Sequence, residues 1–386
     1  MLKNKIMRYI LYFLFVWISV SAQPFAIGST TTTFTDITRN NRAVGTQIYY
    51  PALSAGTDTP VAQGSFPVIA FGHGFVMNVG AYQNIWELLV PQGYIVALPT
   101  TEGGFSPSHL NFAQDLAFVI AQIKAQNTQN GALFFQRIHP KAGVMGHSMG
   151  GGSAHLAAAI GAPIDALCTL APAETNPSAI SASQNITLPS LVIAGSNDCI
   201  TPPNTNQLPM YNALPPGTCK AYLSITGGSH CQMANSNFNC SFGEATCSPG
   251  PTITRSQQQA IMHSYLLLWM NSQLKDSCSD RDQLLQLLNA ANGVTAQWQC
   301  ISCALDLANL SQEKGLRLAN PMLSTLTIPL PAMAIQSLIL RDIQGKIVLE
   351  KNNSATIAVD FLAAGTYILE LTTTSGERYQ QKLMKQ

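Results

Sequence analysis

Residues Val144–Gly161 read VMGHSMGGGSAHLAAAIG. The apolar residues 142–146 are a strand candidate, and the alanine-rich stretch 149–160 is a helix candidate. Between them Gly146-His147-Ser148-Met149-Gly150 matches the pattern G-x-S-x-G, in the strand–turn–helix setting that this pattern requires. So tight a turn leaves no room for a Cβ at 146 or 150, and glycine removes that atom. The Ser148 hydroxyl is thereby held above a sheet at a helix N-terminus. Unpaired N–H groups and the helix dipole favour developing negative charge there. A serine so placed is a candidate nucleophile; in a plain glycine-rich turn it would be a bystander.

Working outward, short apolar runs alternate with helical patterns. Strand candidates are 44–50, 67–71, 94–99, 164–171, 190–195 and 220–226, with a loop over 52–65. Helix candidates are 84–93 and 111–126, the latter with apolar residues at 112, 116, 119, 120 and 123. Apolar strands separated by helices predict an α/β fold, a mostly parallel sheet covered on both faces. The helix candidate 255–274 closes this unit. From about residue 318 the pattern changes to short alternating strands at 324–328, 335–342, 345–350, 355–361, 365–373 and 378–385. Turn residues between them predict a small C-terminal all-β sandwich. The expected domains are 1–22, 23–317 and 318–386, with the boundary between the last two falling between about 305 and 320.

The 386 residues carry a net charge of +1, and only 10% are charged, against roughly 25% in ordinary soluble domains. No basic run exists to neutralise phosphates, which excludes nucleic-acid binding of the electrostatic kind. Lys3, Lys5 and Arg8 precede an apolar run from Tyr9 to Val20, and Val20-Ser21-Ala22 supplies small residues for cleavage before Gln23. That is a secretory signal peptide. Nine cysteines, eight of them between 199 and 303, suit an exported protein with disulfides. Cys168, inside an apolar run, is expected to be a buried free thiol. No second Cys or His pair stands at zinc-like distance from Cys300-x-x-Cys303, so structural disulfides are expected and no metal.

A serine hydroxyl needs a base, and the base needs an orienting acid. With a G-x-S-x-G elbow the chain order is Ser, acid, His. After Ser148 the histidines are His155, His230 and His263. His155 and His263 fall inside helix candidates, whereas His230 follows a strand in the glycine-rich SITGGSHCQ. Asp198 stands just past the strand 190–195, while Asp165 begins a strand and Asp115 lies on a helix as a brace. Two N–H groups must hold an oxyanion. Met149 supplies one, and Phe75 or Gly74, in the loop FGHGF after strand 67–71, supplies the other. His73 precedes the serine and is read as bracing that loop.

GHSMGGGS (146–153), SNDCITPPNTNQLPMYNAL (196–214) and ITGGSHCQMANSN (225–237) together resemble the bacterial cutinases and poly(ethylene terephthalate) hydrolases. These are α/β-hydrolases with dienelactone-hydrolase-like relatives, and the resemblance covers about 67 to 275. It implies the α/β-hydrolase fold, Ser148 as nucleophile, Asp198 as acid, His230 as base, and Phe75 and Met149 as oxyanion donors. It implies no cofactor. Those enzymes carry a Trp on the substrate-binding wall where this chain has Ala173, which leaves Phe75 as the aromatic wall. Several of them join the acid and histidine loops by a disulfide, which implies Cys199 with Cys231; Cys240 with Cys247, and Cys278 with Cys300 or Cys303, are the remaining expectations. The segment from 318 on, with Asn320-Pro321, GTYILEL and KLMKQ, resembles the C-terminal sorting domain of type IX secretion, which implies export through the secretion machinery and removal of this domain.

The expectation is a secreted or cell-surface serine ester hydrolase, a monomer. Its substrate is an ester, and the absence of a long insertion between 146 and 230 favours an open cleft and bulky or insoluble polymer. An esterase or lactonase for small soluble esters is the alternative. A surface binding protein with an inert hydrolase domain is the reading from another class.

Overall fold

The computed structural model describes residues 24–161, 163–300, 318, 320–342, 346–374 and 378–386. The expected signal peptide and Cys303 lie outside them. The chain divides into two compact units between Cys303 and Ala304.

The first unit is built on one sheet of ten strands. In chain order these are β1 Ala26–Asp36, β2 Arg42–Ala52, β3 Gly56–Thr57, β4 Phe66–Gly72, β5 Ile95–Pro99, β6 Ile138–His147, β7 Ala166–Leu170, β8 Ser190–Gly195, β9 Lys220–Ile225 and β10 Val294–Gln299. The helices are α1 Gln83–Leu89, α2 His109–Ala125, α3 Met149–Ala159, α4 Ala179–Ser183, α5 Gln207–Ala213, α6 Phe238–Glu244, α7 Arg255–Leu274 and α8 Cys278–Ala290. The sheet order is β10-β9-β8-β7-β6-β4-β5-β2-β1-β3. From β5 to β9 every pairing is parallel. The two flanks are closed by the antiparallel pairs β2–β5, β1–β2 and β9–β10.

All residues of β4, β5, β7 and β8 are buried, because helices cover both faces of the sheet. On one face Trp86 of α1 and Leu266 and Trp269 of α7 pack with Phe71, Met145 and Leu223. On the other face Leu116 and Ile120 of α2 and Ala154 and Leu156 of α3 pack with Val68, Val144 and Val192. β4 lies between β5 and β6, so the chain leaves β4 toward one side and returns on the other. In such a sheet the crevice beyond the strand C-termini at that reversal is the ordinary ligand site. Gly72 at the end of β4 pairs with Gly146 near the end of β6, which sets the two following loops side by side. β8 and β9 end in register, Gly195 beside Ile225.

Several elements depart from expectation. A long first strand, β1, carries five threonines; their β-branched side chains fit a half-exposed strand, but they lack the apolar alternation that marks β2. Helix 255–274 does not end the unit, since α8 and β10 follow and β10 extends the sheet beside β9. Only Leu284, Leu285 and Leu288 of α8 are buried, so its apolar face is narrow. Within the segment 52–65 there is also the two-residue β3. No helix among the described residues is long and apolar enough to cross a membrane.

The second unit contains β11 Thr325–Thr327, β12 Ile335–Asp342, β13 Ile347–Lys351, β14 Thr356–Ala358, β15 Gly365–Thr373 and β16 Arg378–Lys385. They form a two-stranded sheet, β11-β14, and a four-stranded sheet, β13-β12-β15-β16, with every ladder antiparallel. Tyr367, Leu369 and Leu371 are buried on alternate positions of β15 and join Leu338 and Leu340 in a separate core. This all-β unit follows the alternation legible in the sequence.

Cys300 bonds to Cys219, not to Cys278, and so ties the region after β10 to the start of β9 across a sequence separation of 81. Cys278 is itself disulfide-bonded. Cross-linking a loop of this size restrains the unfolded chain by about 4.5 kcal/mol in the chain-entropy account. Replacing Cys219 and Cys300 together by serine is expected to lower the unfolding free energy by that order in urea titrations. A loss below about 1 kcal/mol would contradict the assigned pairing.

Candidate active site

The turn from β6 into α3 places Ser148 at φ 55° and ψ −122°. A non-glycine residue pays on the order of 1–3 kcal/mol for such a backbone, and the surroundings hold it there. Ser148 N–H donates to Leu170 O at 3.0 Å, and Ser148 O accepts from Gly152 N at 3.0 Å and from Ala173 N at 2.9 Å. The flanking glycines are sterically required. A Cβ on Gly146 would lie 2.2 Å from Gly150 O, and one on Gly150 would lie 2.2 Å from the carbonyl of Gly72. Ser148 is 9% exposed.

Asp198 follows β8 and His230 follows β9. Because those strands end in register, the two side chains meet: His230 Nδ1 lies 2.8 Å from Asp198 Oδ2, and the ring N–H donates to the carboxylate. Asp198 Oδ1 accepts from the N–H of Ile200 at 2.9 Å and of Thr201 at 2.8 Å. The Thr201 hydroxyl lies 2.9 Å from Asp198 Oδ2 and 3.0 Å from His230 Nδ1. A carboxylate accepting this many bonds is fixed in orientation and fixes the imidazole in turn. Gln258 secures the histidine loop by accepting from Ser229 N and donating to Ser229 O, both at 2.8 Å. Gln207 Nε2 donates to Thr201 Oγ1 at 3.0 Å.

His230 and Ser148 line one cleft of about 350 Å³. Met149 opens α3, so its N–H precedes the first intrahelical bond. Of the two residues considered for the second donor, Gly74 is committed: its N–H donates to Tyr82 Oη at 2.7 Å. Phe75 remains, and it lines the cleft. His73 braces this loop, its ring nitrogens 2.8 Å from Gly74 O and 2.9 Å from Thr101 O. Asp115 braces the next one. It pairs with Arg39 and Arg42 at 2.7 Å and accepts from the Thr101 hydroxyl at 2.6 Å. Asp165 accepts from Ala142 N at 2.8 Å at the start of β7, away from the strand C-termini. Ala173 packs on the elbow through its N–H to Ser148 O.

Much of the cleft wall went unseen in the sequence. Besides Phe75, it is lined by Phe105, Phe238, Phe242 and Ile200. The aromatic wall is therefore not Phe75 alone. Two phenylalanines four residues apart after an Asn cap were the available signal for α6. Thr201 was also missed, although an Asp followed three residues later by Thr commonly closes a local turn.

The disulfides differ from expectation in a way that matters for this wall. Cys199 bonds to Cys247 and Cys231 bonds to Cys240. Neither the pair 199–231 nor the pair 240–247 forms. The two residues that follow Asp198 and His230 do not join each other; each is tied to α6 or the turn after it. Cys168 is free and buried.

The family model for PET hydrolase-like proteins matches residues 18–247. The chain belongs to this family. It is 28% identical over 193 residues to a bis(hydroxyethyl) terephthalate hydrolase of Streptomyces coelicolor, an alignment covering 50% of this chain and 57% of that one. It is 28% identical over 191 residues to cutinase est1 of Thermobifida alba, covering 48% and 57%. A cutinase of Thermobifida fusca is 27% identical over 187 residues, covering 48% and 56%. The chain thus spans little more than half the length of the curated relatives it matches. Residues 319–386 match the secretion system C-terminal sorting domain, which makes the protein one secreted or displayed at the cell surface.

Two further histidines are held neutral. Burial pushes His155 down to about 3; its nitrogens lie 2.9 Å from Ser183 Oγ and 3.3 Å from Thr169 Oγ1. Burial, together with the adjacent His230, holds His147 well below its ordinary 6.5. Its Nε2 faces His230 O at 3.2 Å and therefore carries the proton, leaving Nδ1 to accept from Tyr82 Oη at 3.0 Å. Below pH 6.5 the unfolded chain protonates both rings and the folded chain does not. Stability therefore falls as pH drops from 6.5 toward 3. His155 contributes about 1.4 kcal/mol per pH unit over that window, and His147 adds in the same direction. Urea unfolding between about pH 6 and 4 is expected to show this slope, flattened by about one ring's share in His155→Gln. An unchanged slope in that variant would contradict the assignment.

Proposed function

We propose that the protein is a serine carboxylic-ester hydrolase that works through an acyl-enzyme. The observation that carries the reading is the Asp198–His230 hydrogen bond, with the same His230 lining one cleft with the strained Ser148. Ser148 attacks the ester carbonyl as His230 takes its proton. Asp198 holds the ring in the tautomer that leaves Nε2 free to do so and balances the imidazolium. The N–H groups of Phe75 and Met149 receive the oxyanion. His230 then protonates the leaving alcohol, and water releases the acid by the same steps. All of these residues come from one chain, so a monomer suffices. In this reading residues 1–22 are a signal peptide, 23–317 the hydrolase domain and 318–386 the sorting domain.

Aromatic polyester is the substrate we favour. The cleft is open and apolar, and its exposed phenylalanines suit a solid aromatic surface better than a small hydrophilic ester. The alternative, an esterase or lactonase for small soluble esters, is favoured by Ala173 in place of a cleft tryptophan.

Purified protein and its Ser148→Ala variant are to be assayed on short-chain nitrophenyl esters and on an amorphous aromatic polyester film. Turnover on both is expected, with the variant losing on the order of 10⁴–10⁶-fold. Activity on soluble esters alone would select the alternative. Undiminished activity in the variant would remove Ser148 from the mechanism.

A further inference from the structure

Four phenylalanine rings stand in solvent around Ser148 and His230. Phe105 is 88% exposed, Phe238 81%, Phe242 74% and Phe75 45%. Single exposed apolar residues are ordinary, but a cluster lining one concavity marks a binding surface. The rings form two pairs. Phe75 and Phe105 meet edge-on with centroids 6.3 Å apart. Phe238 and Phe242, one turn apart on α6, are near-parallel at 23° with centroids 6.1 Å apart.

α6 is a short helix that would be marginal alone, and it is tied down on several sides. Asn237 caps it by accepting from Cys240 N at 2.9 Å. Cys240, midway between the two phenylalanines in sequence, is bonded to Cys231, the residue after His230. Cys247, just beyond the helix, is bonded to Cys199, the residue after Asp198. Glu244 accepts from Cys231 N at 3.2 Å. Asn239 Nδ2 donates to Val76 O at 2.7 Å, which ties α6 to the loop that carries Phe75. Covalent and polar links thus fix the Phe238–Phe242 pair relative to the very loops that hold His230, Asp198 and the oxyanion donor. Links of that number around solvent-exposed rings make structural sense where a ligand is to be held at a set distance from the reacting atoms.

We propose that Phe238 and Phe242 are the specificity-determining wall of this site, holding the flat ring of an aromatic carboxylic ester by stacking and edge contacts. The proposal rests on the Ser148 reading above. The wall takes its position from the two disulfides, in a chain whose position 173 is alanine. It acts on binding and leaves bond cleavage to Ser148 and His230.

The test measures kcat and KM of the full protein for bis(hydroxyethyl) terephthalate and for the small aliphatic ester triacetin. The readout is the ratio of the two kcat/KM values. Phe238→Ala/Phe242→Ala is expected to lower this ratio by ~10–100-fold, mainly through KM for the aromatic ester. Phe238→Leu/Phe242→Leu keeps apolar surface and drops the flat rings. It is expected to lower the ratio by at least about threefold, and it decides the matter even where the alanine pair is too unstable to assay. A ratio within about twofold of the parent in the alanine pair would overturn the proposal. A leucine pair equal to the parent would also overturn it, reducing the wall to plain apolar contact. Ser148→Ala, run alongside, separates the two claims: turnover surviving in it indicts the nucleophile assignment, whereas the ratio judges the wall.

Discussion

The backbone of Ser148, at φ 55° and ψ −122°, is the constraint on which the site depends. It requires a strand ending and a helix beginning on either side of one residue. It also requires bare glycine at 146, where a Cβ would strike the carbonyl of Gly150, and at 150, where one would strike Gly72 at the end of β4. That close approach, with Gly72 beside Gly146, brings the Phe75 loop next to the serine. The strain is supported by the buried parallel strands beneath it. A flexible turn would relax to an ordinary conformation and lose the geometry.

The same sheet explains the meeting of Asp198 and His230. They are 32 residues apart in sequence, yet β8 and β9 end level with each other. Short loops of fixed conformation then suffice. Thr201, Gln207 and Gln258 are buried polar struts between those loops, Gln207 donating to Thr201 Oγ1 and Gln258 accepting from Ser229 N. The disulfides add an outer layer. They tie the Asp198 loop to the turn after α6 and the His230 loop to α6 itself, so the C-terminal end of the sheet and one wall of the cleft are covalently joined. A direct link between Cys199 and Cys231 would have stiffened the two loops and left α6 without its covalent ties to them.

The strand–helix alternation and the serine elbow were legible because apolar strands covered on both faces, glycines without steric room and a single hydroxyl leave strong local patterns. The C-terminal sandwich was legible for the related reason that its strands alternate inside and outside. What escaped was either polar or non-local. β1 is threonine-rich, α8 shows only a thin apolar face, and β10 is a short polar strand completed by its neighbour. Disulfide partners depend on where loops end in space, which cysteine spacing does not encode. The Phe238 and Phe242 rings lack an apolar stripe around them, since they face solvent, and only their gathering around Ser148 and His230 gives them meaning.

The central claim is that Ser148 is a nucleophile activated by His230. Treatment of the protein with a fluorophosphonate, followed by peptide mass spectrometry, tests it most directly, because the reagent phosphonylates a serine only where a base and an oxyanion site assist. The account predicts one adduct, on the peptide containing Ser148, formed far more slowly in His230→Ala. An adduct on another serine, or labelling of Ser148 at the same rate without His230, would contradict it.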